Sequence, residues 1–236
     1  VFGPFCKPDY NSFIATFCSK IIIDQNPEIT QDSKVPLIYI GNLVGQIVKN
    51  IQSDNQVKHN KILCDIEIRV SEVLRTLNQF KDSYLKENTL PLFNNSFELN
   101  LFNTFRGYIN LEKTFPIYLK KESDERGFFS EIIRTEIGGQ FSFSTTLPGI
   151  TRGNHFHTRK IERFTVLKGK AKISMRKIGN DKIYKFLLDG DQPGYIDMPI
   201  WYTHNITNIG KEPLITSFWI NEPYDPQDTD TYFENV

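Results

Sequence analysis

The sequence predicts an α+β chain, mainly helical over residues 1–110 and all-β, as a closed barrel or sandwich, over 111–236. Three observations carry this. Apolar residues recur at helical spacing in four separate segments before Asn110. Residues Lys170 to Arg176 alternate strictly, with Ala171, Ile173 and Met175 on one face and Lys170, Lys172, Ser174 and Arg176 on the other. After Leu111, short runs of this kind are separated by turn-forming residues, a rhythm that suits a barrel or sandwich.

In chain order, Asn11 to Ile23 places Phe13, Ile14, Phe17 and Ile21 on one helical face. Leu37 to Ile40 read as a short strand after Pro36, with Asn42 as the N-cap of a helix that places Leu43, Val44, Ile47, Val48 and Ile51 on one face. Residues 53–61 are polar and loop-like. Val73, Leu74, Leu77, Phe80 and Tyr84 mark a third helix, ending before Pro91, and Ser96 caps a fourth with Phe97, Leu101, Phe105, Tyr108 and Ile109 on its buried face. In the β half, Ile178 to Asp181 forms a turn, Ile183 to Leu188 the returning strand, and Asp189 to Asp191 a second turn. Gly194 to Met198 is extended, and Leu214 to Ile220 is a buried, largely apolar strand.

Formal charge is zero, with 28 basic and 28 acidic residues dispersed along the chain. That balance gives no footprint for nucleic acid. Apolar runs such as Ile21 to Ile23 are too short to span a bilayer, and no signal peptide is visible. The opening Val1 points to a fragment or a processed product. Three cysteines, Cys6, Cys18 and Cys64, lack CxxC spacing and leave an odd thiol, which fits a reducing cytoplasm and buried, unpaired side chains.

Histidine is scarce, with four in the chain, and three of them fall in two phrases with metal-ligand spacing. The first is Gly149-x5-His155-x-His157-x4-Glu162-x6-Gly169. His155 and His157 are two apart and share a face of a strand, and Glu162 returns to that face on the next strand. The second is Pro199-x4-His204-x3-Asn208, which delivers a ligand from a distant strand. Three imidazoles and a carboxylate suit a divalent transition metal, zinc first. Against this stands the plainer expectation of surface histidines, with Glu162 paired to a Lys or Arg; the full spaced set favours metal.

These phrases resemble the two motifs of the cupin barrels. The second departs at Trp201, which stands where many cupins have Gly, and at Gly194, one residue nearer Pro199 than usual. Asp124-Glu125-Arg126-Gly127-Phe128-Phe129-Ser130-Glu131, followed by Pro148-Gly149-Ile150-Thr151-Arg152-Gly153-Asn154-His155, resembles the dTDP-4-dehydrorhamnose 3,5-epimerases. The resemblance implies that Arg126, Glu131, Arg152 and His155 contact a sugar nucleotide and carry catalysis, with His155 as the proton-abstracting base. His157 replaces that family's Gln and Glu162 is added, so His155 stands open to two roles, base or ligand.

The widest resemblance covers nearly the whole chain. Val1-Phe2-Gly3, Cys6 to Ser12 and Ala15 to Cys18 look like the late part of an extended short-chain dehydrogenase. Gly153 to His157, Tyr202 to Ile206 and Asp230-Thr231-Tyr232-Phe233 look like an attached cupin. The combination is similar to the bifunctional capsule enzymes that make UDP-2-acetamido-2,6-dideoxy-L-talose, on the route to N-acetyl-L-fucosamine. It implies a cytoplasmic enzyme on a UDP-sugar, with a cupin that epimerises C3 of a 4-keto sugar and a reductase that reduces C4 with NADPH. The reductase's glycine-rich phosphate loop and Tyr-x-x-x-Lys are absent from this sequence, so residues 1–110 correspond to a reductase's C-terminal remnant and NADPH belongs to the missing half. Lys160, Tyr195 and Tyr202 join His155 as acid or base candidates. Barrel edges and the helical segment imply a homodimer. The competing functions are a cupin dioxygenase using Fe²⁺ and a non-catalytic barrel serving as a dimerisation platform.

Overall fold

The computed structural model describes residues 1–52 and 61–236 and divides into two compact units, Val1–Ile117 and Tyr118–Val236. The expected loop at 53–61, with His59, lies outside the described residues except at Lys61. Asn110, where the sequence pattern changes, caps the short helix α5 (Leu111–Thr114) of the first unit.

Helix α1 (Phe13–Ile22) starts at Ser12, whose hydroxyl accepts from the Ala15 N–H, and buries Ile14, Phe17, Cys18 and Ile21. Of the cysteines only Cys18 is buried; Cys64 is exposed. The first strand is β1 (Lys34–Leu37), three residues earlier than the apolar run suggests, because its antiparallel partner β2 (Ile66–Arg69) sets the register from Lys34↔Arg69 to Leu37↔Ile66. Beyond Leu37 the backbone turns into helix α2 (Ile40–Gln52), whose first bond runs from the Leu43 N–H to the Tyr39 carbonyl. Asn42 is therefore inside the first turn and caps nothing. The apolar face of α2 is present but uncovered, with Val44, Ile47 and Val48 between 43 and 49% exposed and Ile51 76%.

Helix α3 (Val70–Phe80) buries Val70, Val73, Leu77 and Phe80, and Glu72 reaches back to accept from the Arg69 N–H. It continues as a π-helical turn, Lys81–Lys86, before the two-residue strand β3 (Thr89–Leu90). Helix α4 (Ser96–Arg106) is capped by Asn95, one residue before the expected Ser96, because the Asn95 side chain accepts from the Glu98 N–H at 2.9 Å. Its Phe97, Leu101, Phe102 and Phe105 meet α1 and α3 in a core rich in edge-on aromatic contacts, such as Phe80–Phe102 at 5.1 Å.

The second unit is antiparallel β-structure. Its strands are β4 (Glu122–Asp124), β5 (Gly127–Thr135), β6 (Gln140–Thr146), β7 (Thr151–Phe156), β8 (Glu162–Lys168), β9 (Lys170–Lys177), β10 (Ile183–Asp189), β11 (Tyr195–Met198), β12 (Tyr202–Asn208), β13 (Leu214–Ile220) and β14 (Tyr232–Phe233). One sheet runs β10-β9-β12-β7-β14; the other contains β11-β8-β13-β6-β5, with β4 paired to β5. The hairpin read from the sequence is present, with Ile183↔Arg176 through Asp189↔Lys170 in register. Both sheets feed one core: Ala171, Ile173, Met175 and Ile206 from the first, Phe164, Val166, Met198 and Leu214 from the second. Apolar packing stops short of β6, whose inward residues Gln140, Ser142, Ser144 and Thr146 are all buried and polar. That polar wall leaves one part of the interior open to a cavity. No helix among the described residues is long and apolar enough to cross a membrane.

Candidate metal centre

The four expected ligands converge. His155 lies on β7, His157 one residue past its end, His204 on β12 and Glu162 at the start of β8. The β7–β12 register sets His204 opposite His155, so two imidazoles come from neighbouring strands of one sheet while Glu162 reaches in from the other. Gly153 makes that pairing possible: it sits at φ +99°, and a Cβ there would come within 2.8 Å of the His204 carbonyl oxygen. The ladder shifts register between His204 and Asn205, a bulge of the kind that re-aims side chains. One ligand atom from each of the four residues lies within 4.8 Å of the others.

The hydrogen bonding shows whether these residues fit a metal. His157 Nδ1 is 2.5 Å from the Asp230 carbonyl oxygen and His204 Nδ1 is 3.2 Å from that of Tyr202. A carbonyl only accepts, so each Nδ1 carries the proton and each Nε2 presents a lone pair. Both Nε2 atoms lie 3.1 Å from the same Glu162 Oε2, yet the three atoms are buried and make no hydrogen bond. Acceptors facing acceptors in a dry site are costly unless a proton or a cation lies between them. A divalent cation satisfies all three, and the donor set suits zinc.

The electrostatics agree. For Glu162 burial is the largest influence and opposes ionisation, but the two histidines hold the carboxyl well below its usual range. For His157 burial likewise opposes the charge; the Glu162 carboxylate 3.1 Å from its Nε2, with the Asp230 carbonyl, outweighs it, so its pKa is raised. His155 is pushed down to about 4, first by burial and then by His204. It makes no hydrogen bond to a described residue, and its neutral ring faces the cavity.

That cavity has a volume of about 360 Å³ and is lined by His155, His157 and Glu162 together with Lys160, Arg126 and Arg152. Phe129, Phe164 and Phe218 supply apolar wall, and Gln140, Ser142 and Ser144 of β6 supply polar wall. Arg126 and Arg152 flank Asp124, whose Oδ2 accepts from Arg126 Nε and Nη2 at 2.8 and 2.5 Å and whose Oδ1 lies 3.6 Å from Arg152 Nη2. Those cations, the Arg126 hydrogen bond foremost, hold the Asp124 carboxyl down to about 2. Arg152 Nε is buried without a hydrogen-bond partner, and the residue lines the cavity. Glu131 is elsewhere: it accepts from Arg134 Nε and Nη2 at 3.1 and 2.9 Å and does not line the cavity. Tyr195 and Tyr202 are also outside the lining, Tyr195 lying under the Arg163 guanidinium. Lys160 is inside, 2% exposed, with Nζ donating to the Thr229 carbonyl. Tyr224 and Thr231 line the cavity too, and neither shows a local sequence signal.

Fold and site together define a two-sheet antiparallel β domain with a three-histidine, one-carboxylate cluster at an arginine-bearing cavity. The chain matches the polysaccharide biosynthesis C-terminal domain family over residues 122–232. It is 34% identical over 237 residues to the UDP-2-acetamido-2,6-beta-L-arabino-hexul-4-ose reductase of Pseudomonas aeruginosa, an alignment covering 98% of this chain and 62% of that one. Two crystal structures of the capsular polysaccharide assembling protein CapF from Staphylococcus aureus superpose on the whole chain at 36% identity and TM-score 0.88, with 64% and 69% of their own lengths covered. The spore coat polysaccharide biosynthesis protein SpsL of Bacillus subtilis is 26% identical over 48% of this chain and 81% of its own. The chain belongs to the same family as the capsular polysaccharide assembling protein CapF. It spans 62% of the length of the Pseudomonas reductase.

Proposed function

We propose that residues 111–236 form a cupin domain that epimerises C3 of a UDP-linked 4-keto-6-deoxy-N-acetylhexosamine during capsule or surface polysaccharide synthesis in the cytoplasm. Residues 1–110 are, on this reading, the C-terminal part of an extended short-chain dehydrogenase whose NADPH-binding part lies outside this sequence. The full protein works as a homodimer and couples epimerisation to reduction at C4. The observation that carries the reading is the orphaned Nε2, Nε2 and Oε2 set of His157, His204 and Glu162, of which His157 and Glu162 line a cavity that also presents Arg126, Arg152 and Lys160.

Epimerisation beside a ketone removes the C3 proton from one face and returns one to the other, through an enolate whose charge must be held. A zinc ion in the His and Glu set would supply Lewis-acid stabilisation of that charge. Arg152, with a free buried Nε, and Arg126 bind the diphosphate or the enolate oxygen as fixed cations. His155, neutral at pH 7 and without a tether, takes the proton if it is not a ligand. Lys160 and Tyr224 line the same cavity and can return a proton, whereas Tyr195 and Tyr202 do not reach it. Glu131 supports the site only from outside the cavity.

The test is isotope exchange. This chain, zinc-loaded and without nicotinamide, is incubated with the UDP-4-keto sugar in D₂O, and deuterium at C3 is read by NMR. Uptake is expected, with no reduction at C4 when NADPH is added. Absence of uptake from folded, zinc-loaded protein overturns the epimerase reading in favour of a dimerisation platform. Zinc content of a His155→Ala variant separates the two roles of His155: zinc kept with exchange lost makes it the base, zinc lost makes it a ligand.

A further inference from the structure

One acidic residue touches the centre from the far end of the second unit, through its main-chain carbonyl. Asp230 follows His157 by 73 positions, is 4% exposed and sits at φ +42°. Its carboxylate accepts from three successive backbone N–H groups, Thr158 at 3.1 Å, Arg159 at 3.0 Å and Lys160 at 3.0 Å, and from the Thr158 hydroxyl at 2.6 Å. Its own carbonyl takes the His157 Nδ1 proton at 2.5 Å. Four donors fill the acceptor capacity of a carboxylate. No arginine or lysine side chain pairs with it among the described residues, so its charge is spent on backbone.

Those contacts fall on the short connection between two of the four ligands. Residues 158–160 lead from His157 into Glu162, and tying three consecutive N–H groups to one anion fixes the turn that sets their separation. The carbonyl settles the ring: with Nδ1–H donated to Asp230, the Nε2 lone pair is left facing Glu162 Oε2. The chain on either side of Asp230 holds it in place. Thr229 accepts from Lys160 Nζ, Tyr232 and Phe233 pair with Phe156 and His155 in the β14–β7 ladder, and the Phe156 ring stacks on Tyr232.

We infer that Asp230 is a positioning residue for the metal set, fixing the tautomer of His157 and the turn that delivers Glu162. The inference rests on the metal reading of the site. Partners behind the ligands are worth ten- to hundredfold in metal affinity.

The experiment is Zn²⁺ titration of the full chain against a competing chelator, with ¹⁵N-detected ring spectra of His157 in the metal-free protein. In the wild type His157 shows the Nδ1–H form. Asp230→Asn turns an amide toward the three N–H donors; zinc affinity falls roughly ten- to hundredfold and the His157 ring signals move toward a tautomer mixture. Asp228→Asn, two residues away at an exposed partner of Arg159, leaves both readouts unchanged. Wild-type affinity and ring spectrum in folded D230N overturn the proposal. Should D230N fail to fold, Thr158→Val, which deletes only the 2.6 Å hydroxyl donor, carries the test: affinity falls toward the lower end of that range, and no change overturns the inference. If the wild type takes up no zinc, the metal reading itself fails, and the metal-free ring spectra still decide whether Asp230 sets the His157 tautomer.

Discussion

Glu162→Gln removes the one anionic donor of the set while keeping its shape. Glu162 Oε2 lies 3.1 Å from both His157 Nε2 and His204 Nε2, and the side chain is 13% exposed, so little water stands ready to replace it. Loss of an outer partner weakens a metal site by up to about 100-fold, and loss of the anionic donor costs at least that much. At zinc set to about 1,000 times the wild-type Kd, binding stabilises the fold by roughly 4.1 kcal/mol. A 100-fold weaker site keeps about 2.7 kcal/mol less of this, at ~1.36 kcal/mol per tenfold. For a chain of this length each kcal/mol moves Tm by about 2–4 °C, so the zinc-induced rise in Tm should shrink by roughly 5–11 °C. The assay is calorimetry or circular-dichroism melting of wild type and variant, each with zinc and with chelator. Because glutamine can donate to one of the two free Nε2 atoms, the chelated proteins should differ far less than the zinc-loaded ones. An equal zinc-induced rise in both proteins refutes the reasoning.

Two further outcomes follow from the same geometry. Gly153→Ala places a Cβ 2.8 Å from the His204 carbonyl at a φ of +99°, so the β7–β12 pairing must shift and zinc affinity, read by chelator competition, should fall at least about tenfold. The pH dependence has two opposed parts. His157 has a raised pKa, so the stability it gives the metal-free fold is fully present below about pH 6.5 and lost as pH rises through its folded pKa. Zinc needs the neutral ring, so its affinity moves the other way and falls as pH drops through that same pKa. His155, down to about 4, does not compete for protons above pH 5. Zinc-induced stabilisation should therefore grow from about pH 6 to pH 8 in parallel melts with and without chelator, and a flat profile counts against the histidine set.

The cluster of His155, His157, Glu162 and His204 was legible because the spacing is local or the residue type is rare: His155 and His157 share two-residue periodicity, and His204 is one of only four histidines. What sits behind the ligands was not legible. Asp230 reaches His157 across 73 positions, and only the pairing of β14 with β7 makes them neighbours. Elements of the first unit slipped for a similar reason. Leu37 to Ile40 are apolar enough to read as a strand, but hydrogen bonding to Ile66–Arg69 places the strand at Lys34–Leu37. The period in α2 correctly shows an apolar face and says nothing of what covers it; no residue of that helix is buried.

The cavity itself left a mark in the sequence, in a form that hydropathy alone inverts. Along β6, Gln140, Ser142, Ser144 and Thr146 alternate with Phe141, Phe143 and Thr145. Burial of apolar area would turn the phenylalanines inward. The fold does the reverse: the four polar side chains are buried, and Phe141 and Phe143 are only half-buried on the opposite face. A strand keeps small polar residues inside where hydrogen bonds satisfy them: Gln140 donates to Ser142 Oγ and accepts from the Tyr224 N–H, and with Ser142 and Ser144 it lines the cavity. Ser144 Oγ is buried in the cavity lining with no hydrogen-bond partner. The same wall faces His155, His157 and Glu162 across the cavity, so the strand that breaks the hydropathy rule and the strands that carry the ligands enclose one space.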